Sequence, residues 1–400
     1  MAPTRVSLKT FLSTAKAALS APPAQRPNPL TFVVGNESAD LDSLCSALLL
    51  AYFRSQTPPH TLHIPLSNLA RADLALRPEL NAVLRPAGLK PDDLLTLSDL
   101  PKGDGLALRP ENTRWLLVDH NALTGPLADQ LFSSAVVGCV DHHDDEGKVP
   151  PRSGNGEPPR TIEKSGSCMS LVVDHCKDSD IWTAPDTRDL AHVALGPILI
   201  DTVNLTSKDK TTDWDVRAAQ FVEDKLLSGH HEDNDYDRTA YFDHITRLKE
   251  DISDMSYRDI LRKDYKRWGG ESDSDSDERL ALGISSVVQG FDFLLDRIGP
   301  KEEMLKALRS WAREQALDIA AVMTTSRPGD VFTRELLVWA LNEDAAKLAR
   351  QFASKNESSL GLERWGEGKL DDDGEGERGS GECAGRSGRL STAGNRWRLC

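Results

Sequence analysis

Polar clusters rich in aspartate follow four short apolar runs of the chain, and their side chains suit a hard metal ion. The clusters comprise Asn36, Asp40 and Asp42; Asp119 and His120; Asp141, His142 and His143; and Asp201. Such a set offers mainly oxygen donors, which favours Mg²⁺ or Mn²⁺ over a structural Zn²⁺. One divalent ion would leave several carboxylates unneutralised, so the set predicts two ions, which would activate a water and clamp a phosphoryl group.

The apolar runs that precede these clusters predict the strands of a parallel sheet. The runs are 30–34, 115–118, 135–140 and 197–200, and a helical pattern over 44–53 follows the first. This strand, loop and helix order is typical of a βαβ unit. Ligands of open parallel sheets bind beyond the carboxyl ends of the strands, so we expect the four clusters to converge there.

Each cluster also has an ordinary structural interpretation when it is taken alone. The pair Asp40 and Asp42 is typical of the start of a helix, and Asp119 or Asp201 is typical of an acid at a strand end. The pair His142 and His143 alone is typical of a turn. The repetition of acids at one topological position favours a site over four separate coincidences.

In combination, the motifs resemble those of the DHH phosphoesterase superfamily. They are Asn36-x-x-x-Asp40-x-Asp42, Asp119-His120-Asn121, Asp141-His142-His143 and Ile200-Asp201-Thr202-Val203-Asn204. The resemblance covers residues 1 to about 365 and is greatest for the branch of manganese-dependent pyrophosphatases and fungal exopolyphosphatases. Within that branch, Lys263–Lys266 and Leu282–Val288 resemble the DHHA2-type C-terminal domain.

The resemblance implies a role for individual residues. It implies metal ligands at Asp40, Asp42, Asp119, His142 and Asp201, catalytic residues at Asp141, His142 and His143, and substrate contacts from His143, Lys208, Lys266 and Asn36. For Lys208, beside Asp209 and Lys210, an ordinary solvated surface position is an equal alternative. The two ions are expected to be Mg²⁺ or Mn²⁺, with Co²⁺ also accepted. Asn36 stands where the pyrophosphatases have a histidine ligand, which predicts less demand for Mn²⁺ and wider tolerance of Mg²⁺ or Co²⁺.

The activity implied is hydrolysis of the terminal phosphoanhydride of inorganic polyphosphate, with release of orthophosphate by a monomer. Three alternatives stay open: a pyrophosphatase or small-nucleotide phosphatase of the same superfamily, a nuclease, and a weakened homologue that only binds. A nuclease would need a basic surface or stacking aromatics, whereas the formal charge is −15 and aromatics make up 6% of the residues. A nucleic-acid partner is therefore not expected.

Patterning along the chain predicts an α/β fold with two domains and an active site in the cleft between them. Residues 1–228 are expected to form a mainly parallel sheet flanked by helices, 229–238 a linker, and 239–365 a smaller α+β domain. Within the latter, the Ser- and Asp-rich segment 269–278 predicts a solvated loop. Residues 366–400 are Gly-, Arg- and Ser-rich, which predicts a disordered or aberrant tail without the arginine-bearing final strand of related proteins.

Composition and terminal patterning address the cellular location. No apolar run is long enough to span a membrane, and the six cysteines contain no CxxC pair, which favours a reducing compartment such as the cytoplasm. Residues 1–36 carry four basic residues and no acid, so a presequence for the mitochondrial matrix is an alternative. The helical spacing of Leu8, Phe11, Leu12, Ala15 and Leu19 favours an ordinary amphipathic first helix.

Overall fold

Five parallel strands form the centre of the first half of the chain in the computed structural model. In chain order they are β1 (Leu30–Val34), β2 (His63–Leu66), β3 (Thr113–Val118), β4 (Val136–Asp141) and β5 (Arg160–Ile162). They lie side by side in the order β2-β1-β3-β4-β5, and every pairing is parallel. The predicted parallel sheet is confirmed, and the carboxyl ends of β1, β3 and β4 lie at one edge.

The structure describes residues 5–102, 107–151, 158–184, 186–227, 236–269, 280–326, 333–360, 363–364, 386–391 and 398–399. Contacts divide the chain into two compact units, Met1–Lys249 and Glu250–Cys400. Most of the predicted linker 229–238 and nearly all of the predicted loop 269–278 lie outside the described residues.

Eight helices of the described chain begin in the first unit. They are α1 (Leu8–Ser20), α2 (Leu41–Gln56), α3 (Glu79–Leu84), α4 (Gly125–Asp129), α5 (Cys168–Cys176), α6 (Arg188–Asp201), α7 (Asp213–Leu227) and α8 (Arg238–Glu250). The five apolar residues predicted for α1 are all buried, which confirms an amphipathic first helix. Ile245 of α8 is buried in the core of the first unit. That burial places the boundary between the units about ten residues beyond the predicted linker.

The prediction of a strand at 197–200 is wrong, because these residues form the last turns of α6. A short, continuous apolar run does not distinguish a buried strand from a buried helix. Most of α6 is buried, including Pro197, Ile198 and Leu199, so its sequence lacks the polar face that marks a surface helix. Asp201 is consequently the last residue of a helix and does not follow a strand.

The second unit combines a mixed sheet with helices, as predicted. Its elements are α9 (Tyr257–Lys263), β6 (Tyr265–Trp268), β7 (Leu282–Val287), α10 (Phe291–Ile298), α11 (Lys301–Glu314), β8 (Ile319–Ser326), β9 (Thr333–Ala340), α12 (Glu343–Leu360), β10 (Glu363–Arg364), β11 (Arg386–Ser391) and β12 (Arg398–Leu399). Strands follow the order β10-β11-β9-β8-β7-β6, with β12 on β11. Strands β7 and β8 are parallel, and the other pairs are antiparallel.

The sequence predicted a tail without a final strand, and this prediction is wrong for residues Arg386–Ser391, which form strand β11. Strand β11 pairs antiparallel with β9 along its whole length, from Arg386 opposite Val338 to Ser391 opposite Thr333. Strand pairing uses backbone hydrogen bonds, which a Gly- and Ser-rich sequence can make without an apolar period. Composition alone therefore failed to predict this strand.

Two further observations concern cysteines and membranes. Within the described residues, four cysteines are free and buried, at Cys45, Cys139, Cys168 and Cys176. None of the helices in this part of the chain has the length and apolar character needed to cross a bilayer.

Candidate metal centre

The carboxyl ends of β3 and β4 bring three candidate ligands together. One ligand atom from each of Asp119, His142 and His143 lies within 4.8 Å of the others. Asp119 follows the last residue of β3, and His142 follows the last residue of β4. Neighbouring parallel strands explain how residues more than twenty positions apart meet at one edge of the sheet.

Asp119 is fixed by hydrogen bonds on one side of its carboxylate. Its Oδ2 accepts from Nδ2 of Asn36 at 2.8 Å and from Oγ of Ser43 at 2.6 Å, while its Oδ1 lies 3.1 Å from Nε2 of His142. The backbone of Asp119 is left-handed, with φ of 61°. Such strain concentrates at functional sites, where the surrounding structure holds it.

Asn36 acts on Asp119 through both ends of its side chain. Nδ2 also donates to the carbonyl O of Asp119 at 3.0 Å, and Oδ1 accepts from the backbone N of Ser38 at 2.9 Å. Asn36 is only 8% exposed. Although the sequence predicted a substrate contact, the structure has the Asn36 amide bound within the protein.

Gly35 makes the close approach of Ser43 to this edge of the sheet achievable. A Cβ at position 35 would lie 2.5 Å from Cβ of Ser43, which is closer than real Cβ atoms come. The absence of a side chain at Gly35 therefore lets the Ser43 hydroxyl reach Asp119.

A backbone carbonyl group determines that Nδ1 of the His142 ring carries a proton. Its Nδ1 lies 2.9 Å from the carbonyl O of Ser165, which can only accept, so Nδ1 donates and Nε2 faces Asp119. This arrangement is typical of metal-binding histidines. Burial alone would lower the pKa of His142, but the hydrogen bond to Asp119 and the charges of Asp42 and Asp119 outweigh it and raise the pKa to about 10.

The segment that carries Ser165 is held by the buried carboxylate of Asp215. Its oxygens accept from the backbone N of Gly166 at 2.8 Å, the backbone N of Ser167 at 3.2 Å and Oγ of Ser170 at 2.6 Å. They also accept from the backbone N and Oγ1 of Thr212 at 2.7 and 2.9 Å. Asp215 thus joins the start of α5 to the start of α7 and fixes the carbonyl that orients His142.

The side chain of His143 is half-exposed, and its Nδ1 contacts the carboxylate of Asp141. The Asp141 carboxylate is buried and also accepts from Nδ2 of Asn121 at 2.5 Å. Burial would raise the pKa of Asp141, but hydrogen bonds from His143 and Asn121 outweigh it and lower the pKa to about 2. Asp141, predicted as catalytic, therefore lies beneath the site as an ionised acceptor.

Asp40 and Asp42 enter the site from the start of α2. Oδ1 of Asp40 accepts from the backbone N of Ser43 at 3.0 Å and so caps α2. Asp42 accepts from the backbone N of Cys168 at 2.6 Å and of Met169 at 2.9 Å, the first two residues of α5. Burial and the charges of Asp119 and Asp201 raise the pKa of Asp40 to about 7. Burial and the same two carboxylates also raise the pKa of Asp42.

Asp201, the last residue of α6, has a buried carboxylate oxygen that makes no hydrogen bond within the described residues. Its Oδ2 is buried and has no hydrogen-bond partner in the described part of the chain, and neither has Oδ1 of Asn204. Val203, Asn204 and Leu205 are all left-handed, with φ of 53°, 55° and 61°. This strained turn immediately follows α6, so the backbone conformation is unusual where a ligand is expected.

Four lysines concern this site, two as predicted substrate contacts and two through their charge. Lys208 is exposed, and Lys266 lies on β6 of the second unit, so their substrate contacts stay predictions. Lys249 and Lys210 instead act electrostatically on Asp201: burial raises the pKa of Asp201, and these two cations oppose it. Lys249 at the end of α8 had no motif to signal it, since its neighbours in space are distant in sequence.

A metal ion fits the residues of this site. The candidate donors are carboxylate oxygens and the imidazole nitrogens of His142 and His143, which suit a divalent ion. The unpartnered Oδ2 of Asp201 and the acids around Asp119 are costly to bury without a cation. The fold and the cluster around Asp119 thus indicate dependence on a divalent metal.

Comparison with known proteins agrees with the motifs. Residues 31–196 match the DHH family, N-terminal domain, and residues 243–390 match the DHHA2 domain, so this match includes most of β11. A Schizosaccharomyces pombe protein named "Putative exopolyphosphatase" is 33% identical over 90% of this chain and 87% of its own length. "Exopolyphosphatase PRUNE1" of Bos taurus is 29% identical over 79% of this chain, which spans 63% of that protein.

A solved structure supports the fold. The "putative family II inorganic pyrophosphatase" of Methanococcus jannaschii superposes with a TM-score of 0.53 at 21% identity, over 78% of this chain and 87% of that one. At this identity the likeness concerns the fold. Together, the two matched domains and the extensive identity to the S. pombe protein show that the chain belongs to the DHH family of phosphoesterases and carries a C-terminal DHHA2 domain.

Proposed function

We propose that this chain is a metal-dependent hydrolase that releases orthophosphate from the end of inorganic polyphosphate. The observation that carries the proposal is the meeting of Asp119, His142 and His143 at one edge of the sheet, with ligand atoms within 4.8 Å. The similarity to exopolyphosphatase-named proteins over most of the chain supports the substrate class.

Two divalent ions, Mg²⁺ or Mn²⁺ with Co²⁺ accepted, are proposed to bind Asp40, Asp42, Asp119, His142 and Asp201. Such ions supply an activated water and neutralise charge on phosphoryl oxygens. Asn36 and Ser43 keep one oxygen of Asp119 occupied, so that its other oxygen is presented to the site. The proton that His142 donates to Ser165 leaves Nε2 as the ligand atom.

The substrate would be bound by His143 and by lysines. Because Asp141 engages Nδ1 of His143, the Nε2 atom of this half-exposed ring is available to a phosphate oxygen. Lys249 and Lys210 add positive charge near Asp201, and Lys208 and Lys266 are proposed to contact the leaving phosphates. Cationic groups there would stabilise the charge that develops on the departing chain.

Location and assembly belong to the same proposal. A cytoplasmic location is supported by the four free, buried thiols, since a reducing compartment keeps thiols unpaired. The protein is proposed to act as a monomer.

The proposal is tested by orthophosphate release from long-chain polyphosphate, tripolyphosphate and pyrophosphate, with Mg²⁺, with Mn²⁺ and after chelation. We expect release from the two longer substrates that is lost on chelation and restored by metal. Asp119→Asn should abolish it, whereas Asp178→Asn at an exposed position should not. Greater turnover of pyrophosphate would favour the pyrophosphatase alternative, and no turnover by the metal-loaded protein would favour the binding homologue.

A further inference from the structure

The loop that joins β1 to α2 leads directly into two acids of the metal centre. It comprises residues 35–40, and Asp42 lies in the first turn of the helix that follows. Within the loop, Ala39 has a left-handed backbone with φ of 45°, which residues other than glycine rarely adopt. An alanine side chain cannot hydrogen-bond to the backbone, as asparagine does when it adopts this conformation. The bend before Asp40 is therefore held by other groups.

The side chain of Arg77 holds this bend from outside the loop. Its Nε donates to the carbonyl O of Ala39, and its Nη2 donates to the carbonyl O of Ser38. Arg77 is only 4% exposed, so these bonds are shielded from water. The two donors lie on one edge of the planar guanidinium, which suits a pair of neighbouring acceptors. Arg77 therefore binds the backbone on both sides of the left-handed residue.

The two bonded carbonyl groups determine how the chain enters Asp40. The carbonyl of Ala39 and the backbone N of Asp40 belong to one planar peptide group, and the carbonyl of Ser38 belongs to the group before it. Arg77 thus fixes two consecutive peptide planes immediately before the acid. The position from which Asp40 and Asp42 reach the site therefore depends on Arg77.

Arg77 is itself fixed by the segment that carries it. Its Nη1 donates to the carbonyl O of Asp73 at 3.0 Å, and its backbone N donates to the carbonyl O of Leu74 at 3.1 Å. Arg77 lies between a 3₁₀ helix, Arg71–Leu76, and α3, whose apolar side chains pack into the core of the first unit. A side chain that is locked in this way can hold the geometry of a site before any ligand binds.

We propose that Arg77 is a positioning residue of the metal centre, because it holds the bend from which Asp40 and Asp42 reach a divalent ion. The proposal rests on the metal-dependent activity proposed above and names a residue outside its motifs. A guanidinium cation cannot bind a metal ion directly, so Arg77 acts through the backbone of the loop. Lysine has no planar fork and could not hold both carbonyls in the same geometry.

A buried arginine could also serve only the stability of the fold, and Arg71 provides a control for that alternative. Nη2 of Arg71 donates to the carbonyl O of Leu94 at 2.7 Å and to Oδ2 of Asp99 at 2.6 Å. Arg71 belongs to the segment that precedes Arg77, but these partners are not in the loop before α2. Loss of its guanidinium therefore removes contacts of the same kind without affecting that loop.

Calorimetry with Mn²⁺ on the full metal-free chain tests the proposal without requiring catalysis. Arg77→Lys should bind Mn²⁺ roughly 10- to 100-fold more weakly than the unaltered chain, as is typical when a partner of a metal ligand is removed. Arg77→Met, which keeps the apolar stem, should weaken binding at least as much. Arg71→Lys, the matched control, should bind Mn²⁺ normally. Circular dichroism establishes that each variant is folded before titration.

Kinetics with tripolyphosphate provide a second measurement. Arg77→Lys should need at least about tenfold more Mn²⁺ for half-maximal activity but reach nearly the same kcat at saturating metal. A role in stability alone would lower the folded fraction and leave the metal affinity of the folded molecules unchanged.

Three results would overturn the proposal: equal Mn²⁺ affinity in Arg77→Lys and Arg71→Lys, loss of kcat at unchanged metal affinity, and unfolding of both Arg77 variants. Absence of Mn²⁺ binding to the unaltered chain would overturn this proposal and the proposed function together. If the unaltered chain binds Mn²⁺ but hydrolyses no polyphosphate, the proposed activity fails, while the Mn²⁺ affinities of the variants still decide the role of Arg77.

Discussion

The buried carboxylate of Asp141 holds the imidazole of His143 through a contact of 2.8 Å between Oδ1 and Nδ1. The Asp141 side chain has no exposed surface, whereas 49% of the His143 side chain is exposed. Oδ1 of Asp141 also accepts from the backbone N of His142 at 2.8 Å. Asp141 therefore positions both histidines.

Asp141→Asn should lower activity while leaving the fold intact. The Asp141 carboxylate accepts hydrogen bonds from His143 and Asn121 with two negatively charged oxygens. The side chain of an asparagine at this position has only one oxygen, which is uncharged, so the His143 ring loses its fixed orientation. Losses of roughly 10- to 100-fold follow when such a partner of a site histidine is removed. Phosphate release measures kcat, and calorimetry with Mn²⁺ should show a much smaller change in metal affinity. Unchanged kcat would contradict the positioning role.

Asn36→His should shift the metal preference towards Mn²⁺ and improve pyrophosphate turnover relative to longer chains. An imidazole prefers later transition metals, and it would replace the amide that now donates to Asp119 at 2.8 Å. The ratio of Mg²⁺- to Mn²⁺-supported activity measures the change. The same ratio in both proteins would show that a side chain at this position does not reach the metal.

Metal binding should become tighter as pH rises, and it should release protons. In the metal-free site the pKa of His142 is raised to about 10 and that of Asp40 to about 7, so protons compete with the ions. Asp40 ionises near pH 4 in the unfolded chain but near pH 7 in the folded metal-free protein, so the folded state loses stability as the pH rises from about 4 to 7. His142 loses its proton near pH 6.5 in the unfolded chain but near pH 10 in the folded one, so more stability is lost between about pH 6.5 and 10. The melting temperatures of chelated and metal-loaded protein should therefore diverge from pH 6 to pH 9. A constant difference would argue against this competition.

Lys249→Met should strengthen binding of divalent ions several-fold. The lysine cation acts on the carboxylates of Asp40 and Asp201, so its loss removes repulsion on an incoming ion. Arg247→Met, an exposed position on the same helix, is the matched control. Calorimetry with Mn²⁺ at low ionic strength distinguishes the two variants. Equal affinities for both would remove Lys249 from the electrostatics of the site.

Asp215→Ala should destabilise the first unit by at least about 2 kcal/mol, because several buried donors would lose their acceptor. Asp213→Ala, at the exposed first residue of α7, should change stability by less than about 0.5 kcal/mol. Chemical denaturation followed by circular dichroism measures both. Equal stabilities of the two variants would contradict the structural role of Asp215.

Strand ends were the part of the site that the sequence could predict. Short apolar runs that stop at an acid or an amide correctly indicated β1, β3 and β4, and hence that Asn36, Asp119 and Asp141 share an edge. Asp201 was found by its motif but given the wrong element, because a buried helix lacks a polar face.

Other contributions had no local signal. Asp215 and Lys249 act on residues far from them in sequence, and no pattern around either position indicates its partners. Strand β11 depends on its backbone pairing with β9, which its own composition does not reveal.

Asp42 contacts the first residue of α5, which lies 126 positions further along the chain. During synthesis this acid emerges early, yet the backbone groups that orient it are made much later. Asp42 therefore has its final orientation only when α5 is docked on the start of α2. A substitution in α5 that weakens this docking should thus loosen an acid of the metal centre although α5 itself supplies no ligand.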